Sequence, residues 1–282
     1  MKIGIVGLGL IGGSLALALR DRHEVIGFDR SPATRGAAEA AGVAVAGRLE
    51  DVVRDVVIVA TPLGEIVPVM ERLAPAANGT VFLDTGSLKR RVAEYAERAP
   101  AGLSLVGGHP MAGAAAAGFA SADAGLFRRR AFLLVPTARS DDRSMAVAGE
   151  LVRDCGAIVT VCSAEVHDRA MARLIVAPLA AAAAVAVGAT DAAPLLAAAG
   201  PGFRDTTRLA ETPLDLALDL LFGEADRASA ALGSLVDGLE QLQGRIAQGD
   251  REYVRSFLLA AQAVRQEMTS GSESSARLPG EV

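Results

Sequence analysis

The run Lys2-Ile3-Gly4-Ile5-Val6 leads directly into Gly7-Leu8-Gly9-Leu10-Ile11-Gly12-Gly13-Ser14, and this junction decides how the first half of the chain reads. The first five residues have the pattern of a short strand, and Ile11–Arg20 that of a helix. Between them stands a G-x-G-x-x-G turn. Gly7 permits a tight turn, Gly9 lets the backbone come close to a pyrophosphate, and Gly12 lets helix and strand pack closely. Leu10 and Ile11 open the helix, whose first N–H groups and positive dipole end suit an anion. A second strand is expected over Glu24–Phe28, and it ends on Asp29. A carboxylate there can accept hydrogen bonds from both adenosine ribose hydroxyls and repel a 2′-phosphate. Together these features predict a dinucleotide cofactor, NAD rather than NADP, with Arg30 beside Asp29 leaving NADP possible.

Outward from this unit, strands are expected at Val43–Val45, Val56–Ala60, Thr80–Leu83, Ser104–Val106, Ala131–Pro136 and Ala157–Val161, with helical segments such as Pro32–Ala41 between several of them. The alternation predicts an α/β fold, a mostly parallel sheet covered by helices on both faces. Thr61-Pro62 closes one of these strands, and reads either as part of the ligand crevice or as a plain strand-ending turn. After Ser163 the pattern becomes helical throughout: Val166–Val187, Ala192–Ala199, Leu214–Phe222, Glu224–Ala247 and Arg251–Met268. The expected organisation is a dinucleotide-binding domain over 1–163, an all-helical domain over 164–268 and a disordered tail over 269–282, rich in Ser and Gly.

The chain has 282 residues, 51% of them hydrophobic and 22% charged, enough for a buried core and unlike a disordered chain. Its 28 Lys+Arg against 33 Asp+Glu give a net charge of -5, which argues against a nucleic-acid binder, as does an aromatic content of 4%. Two cysteines, Cys155 and Cys162, and three histidines, His23, His109 and His167, are too few for a disulfide framework or a histidine-rich metal centre. A reducing cytoplasm is expected. The N-terminal apolar run contains too many glycines for a signal-peptide helix. Leu174–Ala189 contains Pro178, falls short of a membrane span and reads as a buried helix. No membrane association is expected.

Three further clusters carry chemistry: Asp84-Thr85-Gly86-Ser87-Leu88-Lys89, Gly107-Gly108-His109-Pro110-Met111-Ala112-Gly113, and Gly202-Phe203-Arg204-Asp205-Thr206-Thr207-Arg208. His109 reads as held in a Gly/Pro-rich turn at a strand's end, where a neutral imidazole can accept a proton near pH 7. Ser87 is placed to cap the following helix, which is compatible with a site role. Lys89, Arg204 and Arg208 read equally as solvated charges or site cations. His167, in His167-Asp168 at a helix start, reads more readily as structural.

Together, GLGLIGGS, DTGSLK, GGHPMAG and GFRDTTRLA resemble the prephenate/arogenate dehydrogenase family over residues 1 to about 268. The resemblance implies a Rossmann-type domain followed by a helical dimerisation domain, and oxidative decarboxylation of prephenate or arogenate with NAD or NADP on the route to tyrosine. It implies that His109 accepts a hydrogen bond from the substrate hydroxyl, that Ser87 assists there and at the nicotinamide, and that Arg208 grips a substrate carboxylate. Arg204 is a second candidate for the carboxylates. A homodimer through the helical domain follows as well.

Two segments depart from the family pattern. A polar stretch after HPMAG is replaced by Ala114–Ala117, and a Ser-His-Leu-Pro-His segment by Ile175-Val176-Ala177-Pro178-Leu179. Three functions are therefore compatible with the sequence. The first is a cyclohexadienyl dehydrogenase on prephenate, arogenate or a related acid. The second is a dehydrogenase of the same architecture on an unrelated hydroxy acid, and the third a silent dinucleotide-binding protein.

Overall fold

The computed structural model describes residues 1–113 and 118–274. The alanine block 114–117 and residues 275–282 lie outside the described residues. Eight strands form one sheet in the order β3-β2-β1-β4-β5-β6-β7-β8. They are β1 (Lys2–Val6), β2 (Glu24–Phe28), β3 (Ala44–Val45), β4 (Val56–Val59), β5 (Val81–Asp84), β6 (Ser104–Pro110), β7 (Ala131–Pro136) and β8 (Ile158–Val161). Every neighbouring pair is parallel except β6 with β7. The carboxyl ends of β1, β4, β5 and β6 therefore share one edge of the sheet.

Side chains alternate across a strand, and the sheet has a core on each face. Val56 and Ile58 face one core with Ile3, Ile5, Leu83 and Phe132, covered by α1 (Leu10–Leu19) and α5 (Asp142–Asp154). Val57 and Val59 face the other with Phe82 and Leu105, covered by α3 (Ile66–Leu73) and α4 (Arg90–Arg98). Such two-sided burial explains why these strands read as unbroken apolar runs. The remaining helix of this part, α2 (Pro32–Ala40), follows β2; Pro32 sits in its first turn and the Ser31 hydroxyl accepts from Thr34 N–H.

Beyond the sheet, α6 (Ala164–Met171), a π-helical turn (Ala172–Val176) and α7 (Ala177–Gly188) form one continuous 25-residue helix. By length and composition alone it could cross a membrane, so the segment is longer than its apolar stretch suggested. It is also less buried than expected. Val176, Leu179 and Ala182 are covered, while Leu174, Val185 and Val187 are exposed. Short helices α8 (Pro201–Thr207) and α9 (Leu214–Gly223) follow, and Val176 and Leu179 pack with Leu220 and Ala228 in a small apolar cluster.

The chain divides into two compact units, Met1–Ala228 and Ser229–Val282. The second consists of most of α10 (Ala225–Ala247) and of α11 (Arg251–Ser274). Gly249, with φ +72°, makes the turn between these two helices, and Asp250 accepts from Tyr253 N–H at 3.0 Å to start α11. Helix α11 runs through Ser274, into the stretch expected to be a tail.

Candidate active site at the carboxyl edge of the sheet

The glycine turn has the geometry its spacing demands. Gly7 adopts φ +87°, and a Cβ there would lie 2.5 Å from the Ala60 carbonyl oxygen. At Gly12 a Cβ would stand 1.8 Å from the Gly7 oxygen, so helix and turn pack backbone to backbone. A Cβ at Gly9 would meet no protein atom within 4 Å. Gly9 is the N-cap of α1 and supplies no side-chain cap, so the first N–H groups of the helix are available to an anion in that space. Asp29 accepts from Leu8 N–H at 2.9 Å and from Ser31 N–H at 2.8 Å, tying the turn to the end of β2. Arg30 is exposed, and Arg35 rather than Arg30 reaches back to this corner, donating to the Asp29 carbonyl at 2.6 Å. Thr61 follows the end of β4 beside the Ala60 carbonyl that Gly7 faces, with Pro62 after it. The Thr61 hydroxyl is buried with no hydrogen-bond partner in the protein. An open space at Gly9 and an orphaned hydroxyl nearby fit a polar, phosphate-bearing cofactor.

His109 departs from its expected setting. Antiparallel pairing with β7 carries β6 through Pro110, with His109 opposite Leu133. His109 is therefore the penultimate residue of a strand, 5% exposed, rather than part of an open turn. Its Nδ1 lies 3.0 Å from His167 Nε2, and His167 Nδ1 lies 2.5 Å from Asp168 Oδ1. The two rings meet edge to face. Burial foremost, then the Lys89 ammonium and the adjoining His167 ring, hold His109 well below the ordinary imidazole range, although Asp168 pulls the other way. A neutral imidazole capable of accepting a proton is the consequence.

A buried ion pair lies immediately behind it. Asp84, at the end of β5, and Lys89 are 0% and 1% exposed and are paired through Lys89 Nζ and Asp84 Oδ1. The ammonium also donates to the Gly108 carbonyl at 2.7 Å, while Asp84 accepts from Gly86 N–H at 2.8 Å and Gly108 N–H at 3.3 Å. Lys89 is thus neither a solvated charge nor a group presented to a ligand. Nor does Ser87 cap the helix after it. Lys89 is the N-cap of α4, and the capping acceptor comes from α6: Asp168 accepts from Lys89 N–H and Arg90 N–H, each at 2.8 Å.

On its far side Asp168 faces Glu224. Burial foremost and the neighbouring Asp168 raise the Glu224 carboxyl to about 7. Burial would raise Asp168 as well, but hydrogen bonds from His167, Glu224 and the Lys89 backbone keep it low. Arg227 Nε stands 2.5 Å from Glu224 Oε2, within ion-pair distance but poorly aligned for a hydrogen bond, and its other nitrogens grip Glu165.

Sequence reasoning therefore located His109 but missed His167, Asp168, Lys89 and Glu224 as its surroundings. The adjacent His167-Asp168 pair was the available signal. Ser87 is half-buried in the β5–α4 loop. Arg204 on α8 and Arg208 on the following turn are exposed, and no hydrogen bond joins either to His109 among the described residues. The described residues contain no cluster suited to a metal ion.

Residues 15–161 match the family model described as the prephenate dehydrogenase nucleotide-binding domain, and residues 163–260 match that of the prephenate dehydrogenase dimerization domain. The chain belongs to the prephenate dehydrogenase family. It is an NAD(P)-dependent dehydrogenase. Prephenate dehydrogenase of Bacillus subtilis is 30% identical over 277 residues, which span 93% of this chain and 74% of that protein. Among solved structures, Synechocystis arogenate dehydrogenase superposes with a TM-score of 0.82 at 29% identity, covering 95% of this chain and 100% of its own. Prephenate dehydrogenase from A. aeolicus, in complex with hydroxyphenyl propionate and NAD+, shares the fold, with a TM-score of 0.83 at 23% identity and coverage of 95% and 98%.

Proposed function

We propose that this chain oxidatively decarboxylates prephenate, arogenate or a related cyclohexadienyl acid, with NAD preferred to NADP, and that it does so as a homodimer in the cytoplasm. The observation that carries the reading is a buried His109, linked through His167 to Asp168, on the same sheet edge as the glycine turn. NAD(P), when bound, accepts the hydride. Gly7, Gly9 and Gly12, with the N–H groups of Leu10 and Ile11, hold its pyrophosphate. Asp29 receives the adenosine ribose, and Thr61 and Pro62 line the crevice beyond it. Each Asp29 oxygen already accepts one backbone N–H and has a second lone pair for a ribose hydroxyl.

In this mechanism His109 takes the proton from the ring hydroxyl as hydride leaves the carbinol carbon. Loss of carbon dioxide then makes the ring aromatic and leaves a phenolate oxygen, to which His109 returns the same proton. The cycle exchanges no net proton with water, which suits a base that is only 5% exposed. Ser87 orients the hydroxyl. Arg208, assisted by Arg204, holds a substrate carboxylate; neither guanidinium has an ion-pair partner among the described residues, and a bidentate grip would supply charge-assisted bonds. Residues 1–163 serve the cofactor and 164–268 the substrate and the second subunit. Exposed Val185, Val187, Leu214 and Phe222 support the dimer, since an apolar surface of this kind is stabilised by burial against another chain. Val176 packs into an apolar cluster and offers no hydrogen bond, which favours a substrate whose side chain is less polar, or differently placed, on that side.

Mixing the purified chain with NAD or NADP and with each acid in turn, while following the absorbance of reduced nicotinamide, tests the proposal. Turnover that disappears in His109→Ala, with NAD still bound, is expected. Silence with both prephenate and arogenate from neutral to alkaline pH would overturn it.

A further inference from the structure

We propose that His167 is a positioning residue for His109: anchored by Asp168, it accepts the Nδ1 proton of His109 and so keeps the lone pair of His109 on Nε2. The inference deepens the function proposed above and rests on it only in taking His109 as the base.

Protons can be counted along a fixed chain of contacts from Asp168 to His109. Asp168 cannot rotate freely, because Oδ1 accepts from Lys89 N–H and Oδ2 from Arg90 N–H. A carboxylate only accepts, so the proton across the 2.5 Å contact between His167 Nδ1 and Asp168 Oδ1 belongs to His167. An imidazole with one proton, on Nδ1, presents a lone pair at Nε2. The 3.0 Å contact from there to His109 Nδ1 then requires the proton of His109 to lie on Nδ1. The opposite tautomer of His109 would set two lone pairs against each other between buried rings, where no solvent relieves them. Competing groups are already committed. The Lys89 ammonium is held by Asp84 and the Gly108 carbonyl, and Glu224 with Arg227 covers the other side of Asp168. The same chain would spread the charge of a transiently protonated His109 toward Asp168.

Nitrogen-15 NMR of the full-length, histidine-labelled chain reads the tautomer directly. There are three histidines, and His23→Gln identifies one of the signals. The expected spectrum at neutral pH shows His109 protonated at Nδ1. In His167→Leu it should shift toward the other tautomer, and in His167→Gln, whose amide oxygen can accept the proton, it should return. A wild-type His109 protonated on Nε2, a doubly protonated His167, or a His109 signal unmoved by His167→Leu would each overturn the inference. In steady-state assays His167→Leu should lower kcat on the order of 10- to 100-fold with KM nearly unchanged, and His167→Gln should recover part of it. A merely structural residue would show no such rescue. The NMR needs no turnover, so a wild-type chain silent on both acids would remove the proposed function and leave the tautomer assignment standing or falling alone. Should His167→Leu fail to fold, the wild-type and His167→Gln spectra still decide.

Discussion

Replacing Lys89 with methionine isolates the ion pair behind His109. Asp84 is fully buried, and Lys89 Nζ is its counter-charge as well as the donor to the Gly108 carbonyl. Removing one partner of a buried pair costs about 3–5 kcal/mol, because the other charge is left stranded. Asp84 keeps the N–H groups of Gly86 and Gly108, which places the loss near the lower end, and the abandoned carbonyl adds about 1 kcal/mol. The expected destabilisation is thus about 3–5 kcal/mol, a large share of the ~5–15 kcal/mol typical of a folded protein. For a unit of this size it corresponds to a fall in Tm of roughly 6–20 °C. Urea and thermal unfolding followed by circular dichroism, at fixed protein concentration, measure it. Adding Asp84→Asn to Lys89→Met removes the stranded charge and should recover part of the loss. A Lys89→Met chain that loses less than about 1 kcal/mol, or a double variant no more stable than the single one, would refute the account. The lysine also helps to hold His109 below the imidazole range, so the acid limb of any surviving activity should move to higher pH.

Four other outcomes are expected. Gly9→Ala meets no protein atom and should leave the unliganded fold within about 0.5 kcal/mol of wild type while weakening NAD binding, as read by cofactor fluorescence titration. Gly12→Ala, whose Cβ would strike the Gly7 oxygen, should instead lower Tm before any cofactor is added. Asp29→Asn should weaken NAD and raise the relative use of NADP; an unchanged ratio of kcat/KM values would remove Asp29 from the ribose site. Stability should carry two opposed pH dependences. Buried, neutral His109 contributes stability that is complete above about pH 6.5 and is lost as pH falls toward its depressed value. Glu224 contributes below the ordinary carboxylate range and loses this as pH climbs through its raised value. Denaturation series from pH 4 to 9 on wild type and Glu224→Gln separate the two, since the fall on the alkaline side should vanish in the variant.

The fold was largely legible because its signals are local. Short apolar runs bounded by turns marked β1, β2 and β7 to the residue, and the spacing of Gly7, Gly9 and Gly12 described a turn whose sterics the structure reproduces. What was illegible depends on partners distant in sequence. His109 read as a turn residue because Gly107-Gly108 and Pro110 punctuate a chain locally, whereas pairing with β7 extends the strand through them. Ser87 read as a cap because it precedes a helix; the acceptor used instead, Asp168, lies on another helix far along the chain. Lys89 and His167 are polar residues buried for reasons of pairing, and hydrophobic periodicity carries no record of that. The start of helix α6, by contrast, was legible: the sequence reads a helix from Val166, two residues inside its start at Ala164.

The two glycines before His109 are spaces reserved for others. A Cβ at Gly107 would come within 3.0 Å of the Lys89 side chain, and one at Gly108 within 2.3 Å of the Asp84 carbonyl oxygen. The notch that admits the ion pair and the strand that presents the imidazole are one piece of backbone. Drift at these sites is therefore narrow: a descendant that keeps the lysine inherits the glycine at 107 with it, and one that discards the lysine still has the Val135 Cβ and carbonyl oxygen 3.1 Å from any Cβ placed there.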